Sequence, residues 1–482
     1  MNRVFYIILF TLLNFSLPSA VAIGWNNGGG NAGKNGFVNT NGPVSDSVLW
    51  QLNSPGLIGS PIFIEGDYLI TMRFFSLTNA PVECYDLTTG NLIWSADVTG
   101  SAGRSLPVGL RDGRVYVVRY TESQNDSLFA LDVVDGSRLW TSNVNVNVYI
   151  TETGVFDAAG DFYIYASNFR TVKINPTNGQ MIWQTPTVPI ASGSGEMVIN
   201  NSSNKGYTLE VIGGVSYLWA IDLATGQKLY NHIVPDLQPG GNVPQSALMV
   251  GLNGVVYVHL TQDNIASFKD AGTLFNLNWQ TEITGNSAFS LMCMGADSTI
   301  YVPSDNRIIR LDPLTGDTLS SSIPITQGGF FSPRISAADN NMIYATNGED
   351  YVYAFDLQLN LLWSDYIPNN NTSGVCIAPN GLAAVCGQNI IKVYSPLQPV
   401  GMAEADRSFI QLYPNPVSTQ ITLEIADTFI GEEYVVMDAF GRIVITGKAE
   451  LNKTHINLAE LTAGFYFLKF KDNDLTYKII RQ

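Results

Sequence analysis

Short stretches in which apolar residues alternate with polar ones, or crowd them out, recur along most of the chain. Examples are YLITM (Tyr68–Met72), RVYVV (Arg114–Val118), FYIYA (Phe162–Ala166) and VVYVH (Val255–His259). Each is brief, rich in β-branched and aromatic side chains, and bounded by turn residues, which predicts strands. The preceding turns are Glu65-Gly66-Asp67, Arg111-Asp112-Gly113, Ala159-Gly160-Asp161, Asn253-Gly254, Asp297-Ser298-Thr299 and Asn340-Asn341-Met342. Gly, Asn and Asp tolerate the positive φ that a strand reversal needs.

A second pattern alternates with the first. YDLTTGNLIW (Tyr85–Trp94) returns as LFALDVVDGSRLW, VKINPTNGQMIW, LWAIDLATGQKLY, IIRLDPLTGDTL and VYAFDLQLNLLW. Good copies keep an Asp, a Gly four residues on and an aromatic four beyond: Asp86/Gly90/Trp94, Asp132/Gly136/Trp140, Asp222/Gly226/Tyr230. The Asp can accept hydrogen bonds from the turn amides, and the Gly suits the left-handed position closing a type I turn with a bulge. Two hairpins per unit make four strands. The closing strand is marked by Trp50, Trp94, Trp140, Trp183, Tyr230, Trp279, Leu319 and Trp363, about 40 to 49 residues apart. Four-stranded units of that period predict the blades of a β-propeller, each Trp wedged between blades. Trp50 lies on a strand with no hairpin before it, whereas the last unit (GVCIAP, LAAVCG, IIKVYS) has three strands and no Trp strand after it. The N-terminal strand is therefore expected to complete the C-terminal blade, giving eight blades and no open edge.

The AxDxxTGxxxW-like phrase resembles the PQQ-type propeller repeat of quinoprotein alcohol dehydrogenases and of the outer-membrane assembly lipoprotein BamB. The resemblance spans residues 24–395, and the lead-in GWNNGGGNAGKNGF is similar to that of secreted members. The chain departs from it where Asn175 replaces Asp, Asn360 replaces Gly, Leu319 replaces Trp, and an insertion enters the unit from Lys269 to Trp279. Members that hold the quinone carry an adjacent cysteine pair, a Trp floor and a calcium-ligating acid set. This chain has no adjacent cysteines, so the expectation is no cofactor, no metal and no catalytic residue.

After Tyr394 the texture changes. A linker, 396–408, leads to a unit at 409–482 with alternation in Ile421/Leu423/Ile425 and Tyr466/Leu468/Phe470 and turns at Phe440-Gly441 and Ala463-Gly464. Short strands without helix signals predict a small Ig-like β-sandwich. LYPNP (Leu412–Pro416), MDAFGRIV (Met437–Val444), INLAELTAGFYFLKF (Ile456–Phe470) and the terminal KIIRQ resemble the type A sorting domain of the Bacteroidota type IX secretion system. That resemblance implies recognition by the outer-membrane secretion machinery and its sortase, then release or attachment to surface lipopolysaccharide.

Composition agrees with an exported all-β protein. Residues 1–22 read as a signal peptide, with Arg3, the apolar VFYIILFTLL and the Ala20-Val21-Ala22 cleavage site. No other segment is long and apolar enough to span a bilayer. A net charge of −16 without a Lys/Arg cluster argues against nucleic acid. Of four cysteines, Cys84 and Cys293 read as small buried hydrophobes. Cys376 and Cys386 sit on the arms of one hairpin, where a bond is possible but offset. His232, His259 and His455 have no nucleophile motif nearby, and GGGNAGKNG is no phosphate loop, since no strand precedes it and no GK[ST] follows. The expected role is a surface or extracellular binding or scaffolding module for a protein or glycan. The alternative is a secreted enzyme, polysaccharide-active or a small-alcohol oxidoreductase, with its site at the channel mouth.

Overall fold

The computed structural model describes residues 24–58, 62–74, 80–98, 104–120, 126–146, 154–166, 170–186, 191–194, 197–234, 248–261, 264–283, 292–304, 306–325, 334–368, 374–396, 410–425, 430–438, 441–470 and 476–482. The leader expected at 1–22, the linker expected after Pro396, and Phe440 lie outside them. The chain separates into two compact units, Met1–Pro396 and Leu397–Gln482.

In the first unit each repeat becomes a run of antiparallel strands paired in chain order. Phe63–Glu65, Tyr68–Phe74, Val82–Asp86 and Leu92–Ala96 form one such run. The order recurs from Arg104–Arg111 to Arg138–Val146, from Leu248–Val250 to Phe275–Glu282, from Cys293–Met294 to Thr318–Ser321, and from Arg334–Ala338 to Leu361–Tyr366. The hairpin turns use the left-handed backbone read from the sequence, with φ of 57° at Gly66, 52° at Asp112, 65° at Ser298 and 65° at Asn341. The strand Val48–Ile58 pairs with the end of the unit, Val48 opposite Tyr394, Trp50 opposite Val393 and Leu52 opposite Ile391. At the start of the strand Ala383–Tyr394, Ala383 and Ala384 pair instead with Ile377 and Cys376. The N-terminal strand thus covers what would be an open edge.

The Asp–Gly–Trp phrase acts between units. Trp94 Nε1 donates to Val133 O in the next unit's turn at 2.8 Å, Trp50 to Leu87 O at 2.7 Å and Trp140 to Pro176 O at 2.9 Å. Trp183 reaches Leu223 O and Trp279 reaches Pro313 O, each at 3.0 Å. The turn glycine lies against the same indole. A Cβ added to Gly136 would sit 2.7 Å from the Trp94 ring, and one on Gly179 only 2.4 Å from Trp140. The Asp holds the turn itself: Asp86 Oδ1 accepts from the amides of Thr88 and Thr89. Asn175 does the same for Thr177 with an amide oxygen, so the turn needs an acceptor and not a charge.

The departures sort into matched pairs. Asn360 does not occupy the glycine place: Leu359 takes the left-handed backbone (φ 66°), and its amide bonds Asp356 O, closing the turn one residue sooner than Gly90 on Asp86. The unit before that shortened turn is the one with Leu319 in place of Trp, and Leu319 is 48% exposed. Tyr230 precedes the irregular Asp270–Gly272 turn, whose glycine has no side chain against it. There the Tyr230 hydroxyl bonds the Asp270 carboxylate, which also takes Lys205 Nζ at 2.9 Å and Tyr207 OH at 2.7 Å. At these two joints no glycine offers a flat seat, and no indole is present to use one; Trp363, whose following unit brings no turn glycine against it among the described residues, packs on Tyr394 instead.

One segment arranges all these runs round a common axis. Trp25 O accepts from Ile64 N at 2.8 Å, Asn26 O from Leu110 N at 2.9 Å, and Ala32 O from Ile199 N at 2.7 Å. Gly33 O, Asn35 O and Gly36 O accept from Val250, Met294 and Ala337, each at 2.8 Å. Every donor sits near the hairpin end of the first strand of its run. A stretch this short can visit successive units in order only if their first strands surround it. The unit is a β-propeller.

The second unit has a sheet of Ile410–Tyr413, Gln420–Ile425 and Lys453–Asn457, and another of Ile443–Lys448, Glu433–Asp438, Gly464–Phe470 and Thr476–Arg481. Ile421, Leu423, Ile425, Val436, Leu468 and Phe470 share one core, as their alternation requires.

Candidate functional site at the channel mouth

Residues 24–40 build this site, and their composition explains how. Gly24 and Gly33 press against the inner strands so closely that a Cβ would lie 2.2 Å from Ile64 O and 2.6 Å from Val250 O. The segment is pinned by its own asparagines. Asn31 Oδ1 accepts from Gly33 N at 3.0 Å, and its amide donates to Asn35 Oδ1 at 2.6 Å and Phe37 O at 3.0 Å. Asn35 donates to Val250 O at 3.0 Å, and Phe37–Val38 adds a parallel strand to Arg334–Ala338. Trp25, Asn26, Asn27 and Lys34 are buried. The Gly/Asn-rich lead-in is thus a strap across the channel.

Above it opens a cavity of about 420 Å³ lined by Asn26, Arg111, Phe156, Asp157, Asn201 and Ile377, among others. Among the described residues Asn26 Oδ1 has no hydrogen-bond partner, and neither polar side-chain atom of Asn27 has one. Arg111 donates to Ala158 O at 3.3 Å and lies 3.8 Å from Asp112, so most of its fork stays available. Asp157 is the one carboxylate among the described lining residues, and it is engaged. It accepts from Tyr163 OH at 2.7 Å and Asp161 N at 3.0 Å, and Lys173 stands 3.9 Å away. Glycoside cleavage calls for two carboxyl groups about 5 to 10 Å apart, and this lining does not supply them.

The other sequence candidates lie elsewhere. His232 packs against Phe268 with ring centroids 5.1 Å apart, and His455 Nδ1 lies 3.0 Å from Thr422 Oγ1. His259 is buried, and neither ring nitrogen has a partner among the described residues. Burial pushes its pKa down to about 4. A base held below its unfolded value near 6.5 is neutral in the fold, so its contribution is complete above about pH 6.5 and lost as pH falls toward 4. The expected loss is on the order of 3 kcal/mol. His259→Leu is therefore expected to flatten the fall in melting temperature across that window; an unchanged acid profile would contradict the assignment.

All four cysteines are buried and none forms a disulfide. Cys376 lies opposite Ala384, two places from Cys386, so the offset already visible in the sequence leaves the pair unbonded. Burial raises the Cys84 thiol to about 12. Among the described residues no three His, Cys, Asp or Glu side chains group to hold a metal. With the channel crossed by residues 24–40 and no adjacent cysteines, the residues present do not fit the quinone that some relatives carry.

Radial four-stranded units, joined by indole-on-glycine contacts, define a PQQ-like propeller. A family model described as outer membrane protein assembly factor BamB matches residues 34–231 and 78–322, and the chain belongs to that family. A second model, a secretion system C-terminal sorting domain, matches residues 411–482. BamB from Moraxella catarrhalis is similar in structure at 13% identity, covering 71% of this chain and 99% of its own, with a TM-score of 0.52. A quinohemoprotein alcohol dehydrogenase from Comamonas testosteroni is similar at 12% identity, covering 83% and 84%, with a TM-score of 0.57. At such identities the likeness is one of fold. No curated protein matches the chain in sequence. Propeller and sorting tail together make this an exported surface propeller protein.

Proposed function

We propose that this protein is a cell-surface binding module whose recognition site is the mouth of the strapped channel. In this reading a leader at 1–22 takes the chain across the inner membrane. The propeller, 23–395, closes as eight blades. The linker, 396–408, presents the sorting domain, 409–482, to the type IX machinery and its sortase, which attach or release the cargo. The observation that carries the reading is the strap itself. Residues 24–40 cross the channel and leave a preformed, largely apolar concavity with a few polar groups, whose single carboxylate among the described residues is already engaged. Such a surface suits recognition of a protein or glycan, with polar groups fixing orientation over an apolar floor. The secreted-enzyme alternative draws no comparable support, since it needs reactive groups converging at that mouth.

Export is tested by truncation. Removing residues 409–482 is expected to leave the folded propeller in the periplasm, inaccessible to protease added to whole cells. Normal surface delivery of the truncated chain would refute the routing.

A further inference from the structure

The hydrogen bonds that bind the strap leave two matching donors unused, both on buried residues that line the cavity. In an antiparallel pair, successive amides along a strand point alternately at the partner strand and away from it. Gly251 N points at its hairpin partner, Val255 O, so the amide of Val250 points toward the axis, where Gly33 O receives it. The same geometry holds for Asp157 N on Asp161 O and for Ala378 N on Leu382 O. The preceding amides, of Phe156 and Ile377, therefore also point toward the axis, Phe156 standing opposite Phe162 and Ile377 opposite Ala383. No carbonyl of residues 24–43 meets either one among the described hydrogen bonds. Both residues line the cavity, together with Asn26, whose buried Oδ1 has no partner among the described residues, and Arg111.

We propose that this mouth binds the carboxyl-terminal end of an extended peptide. The ligand must offer oxygen acceptors to the two inward amides, a carboxylate to the Arg111 fork and a donor to Asn26 Oδ1. A peptide end carries all of these in sequence: carbonyl, N–H and terminal carboxylate. Main-chain carbonyls of residues 25–36 already fill the six equivalent inward positions in the neighbouring units, so peptide backbone is what these strand edges accept. The cavity, about 420 Å³, falls within the range of small-ligand sites and has room for a few residues. Buried amides without acceptors are costly, so the empty positions favour occupation. This inference rests on the mouth being a recognition surface, and goes beyond it by naming the ligand class.

The test uses the full mature chain and three probes: tri-alanine with a free carboxylate, its carboxamide, and glucuronate, followed by saturation-transfer NMR and residue-resolved amide exchange. The free acid is expected to bind about tenfold more tightly than the carboxamide, ~1.4 kcal/mol, and to slow exchange at Phe156 and Ile377. Arg111→Gln, with an unchanged melting temperature, is expected to abolish that preference. Equal binding of acid and amide, or binding by none of the three probes, would overturn the inference. Binding by glucuronate alone would overturn the peptide class while leaving recognition at the mouth standing. The acid–amide comparison on the unmodified chain needs no variant to fold.

Discussion

Removal of residues 24–43 is expected to abolish the cooperative thermal transition of the propeller, not merely to shift it. Six backbone hydrogen bonds tie this segment to six inner strands. At roughly 1 kcal/mol net apiece they contribute about 6 kcal/mol, and burial of the Trp25 side chain adds roughly 2 to 3 more. That total is comparable with the whole stability of an ordinary domain, about 5 to 15 kcal/mol. The loss would also expose the inner amides of six strands to an empty channel. Circular dichroism melting of the truncated chain checks this, and a sharp transition within a few degrees of the parent would contradict it.

The second large effect belongs to the contact between units. Trp140→Ala removes a buried indole together with its bond to Pro176 O, and is expected to cost about 3 to 5 kcal/mol. Gly179→Val attacks the same joint from the other side. Its backbone has φ 74°, which a β-branched residue resists, and its Cβ would lie 2.4 Å from the Trp140 ring. By contrast, Leu319→Ala, at a joint without an indole and with an exposed side chain, is expected to change stability by no more than about 0.5 kcal/mol. Denaturant titration of the three variants gives the ranking. A Leu319 variant as damaging as the Trp140 variant would show that the indole seat is not what joins the units.

The propeller was legible because its repeat is local chemistry. Asp86, Gly90 and Trp94 lie within nine residues of one another, and the same turn must be made in each copy, so the period shows in the chain itself. The shift of the left-handed place to Leu359 was not legible, because counting four residues from Asp356 reaches Asn360 whether or not the turn is tightened. The strap was still less so. Its partners lie far away in the sequence, from Ile64 to Ala337, and a segment that meets six inner strands in turn along its own length has no period. Its one signal was composition: glycines and asparagines in GWNNGGGNAGKNG where no strand or linker needed them, a mark of close backbone approach. The cavity follows from the strap. Asn26, Arg111, Phe156 and Ile377 come from separate units and from the lead-in, and meet only once the ring has closed.

The claim that residues 24–40 strap the channel and leave a two-donor mouth is tested most directly by amide hydrogen exchange on the unliganded chain. The account predicts slow exchange at Ile64, Leu110, Ile199, Val250, Met294 and Ala337, each bonded to the strap, and markedly faster exchange at Phe156 and Ile377. Equal protection at all eight positions would contradict the open mouth, and rapid exchange at the first six would contradict the strap.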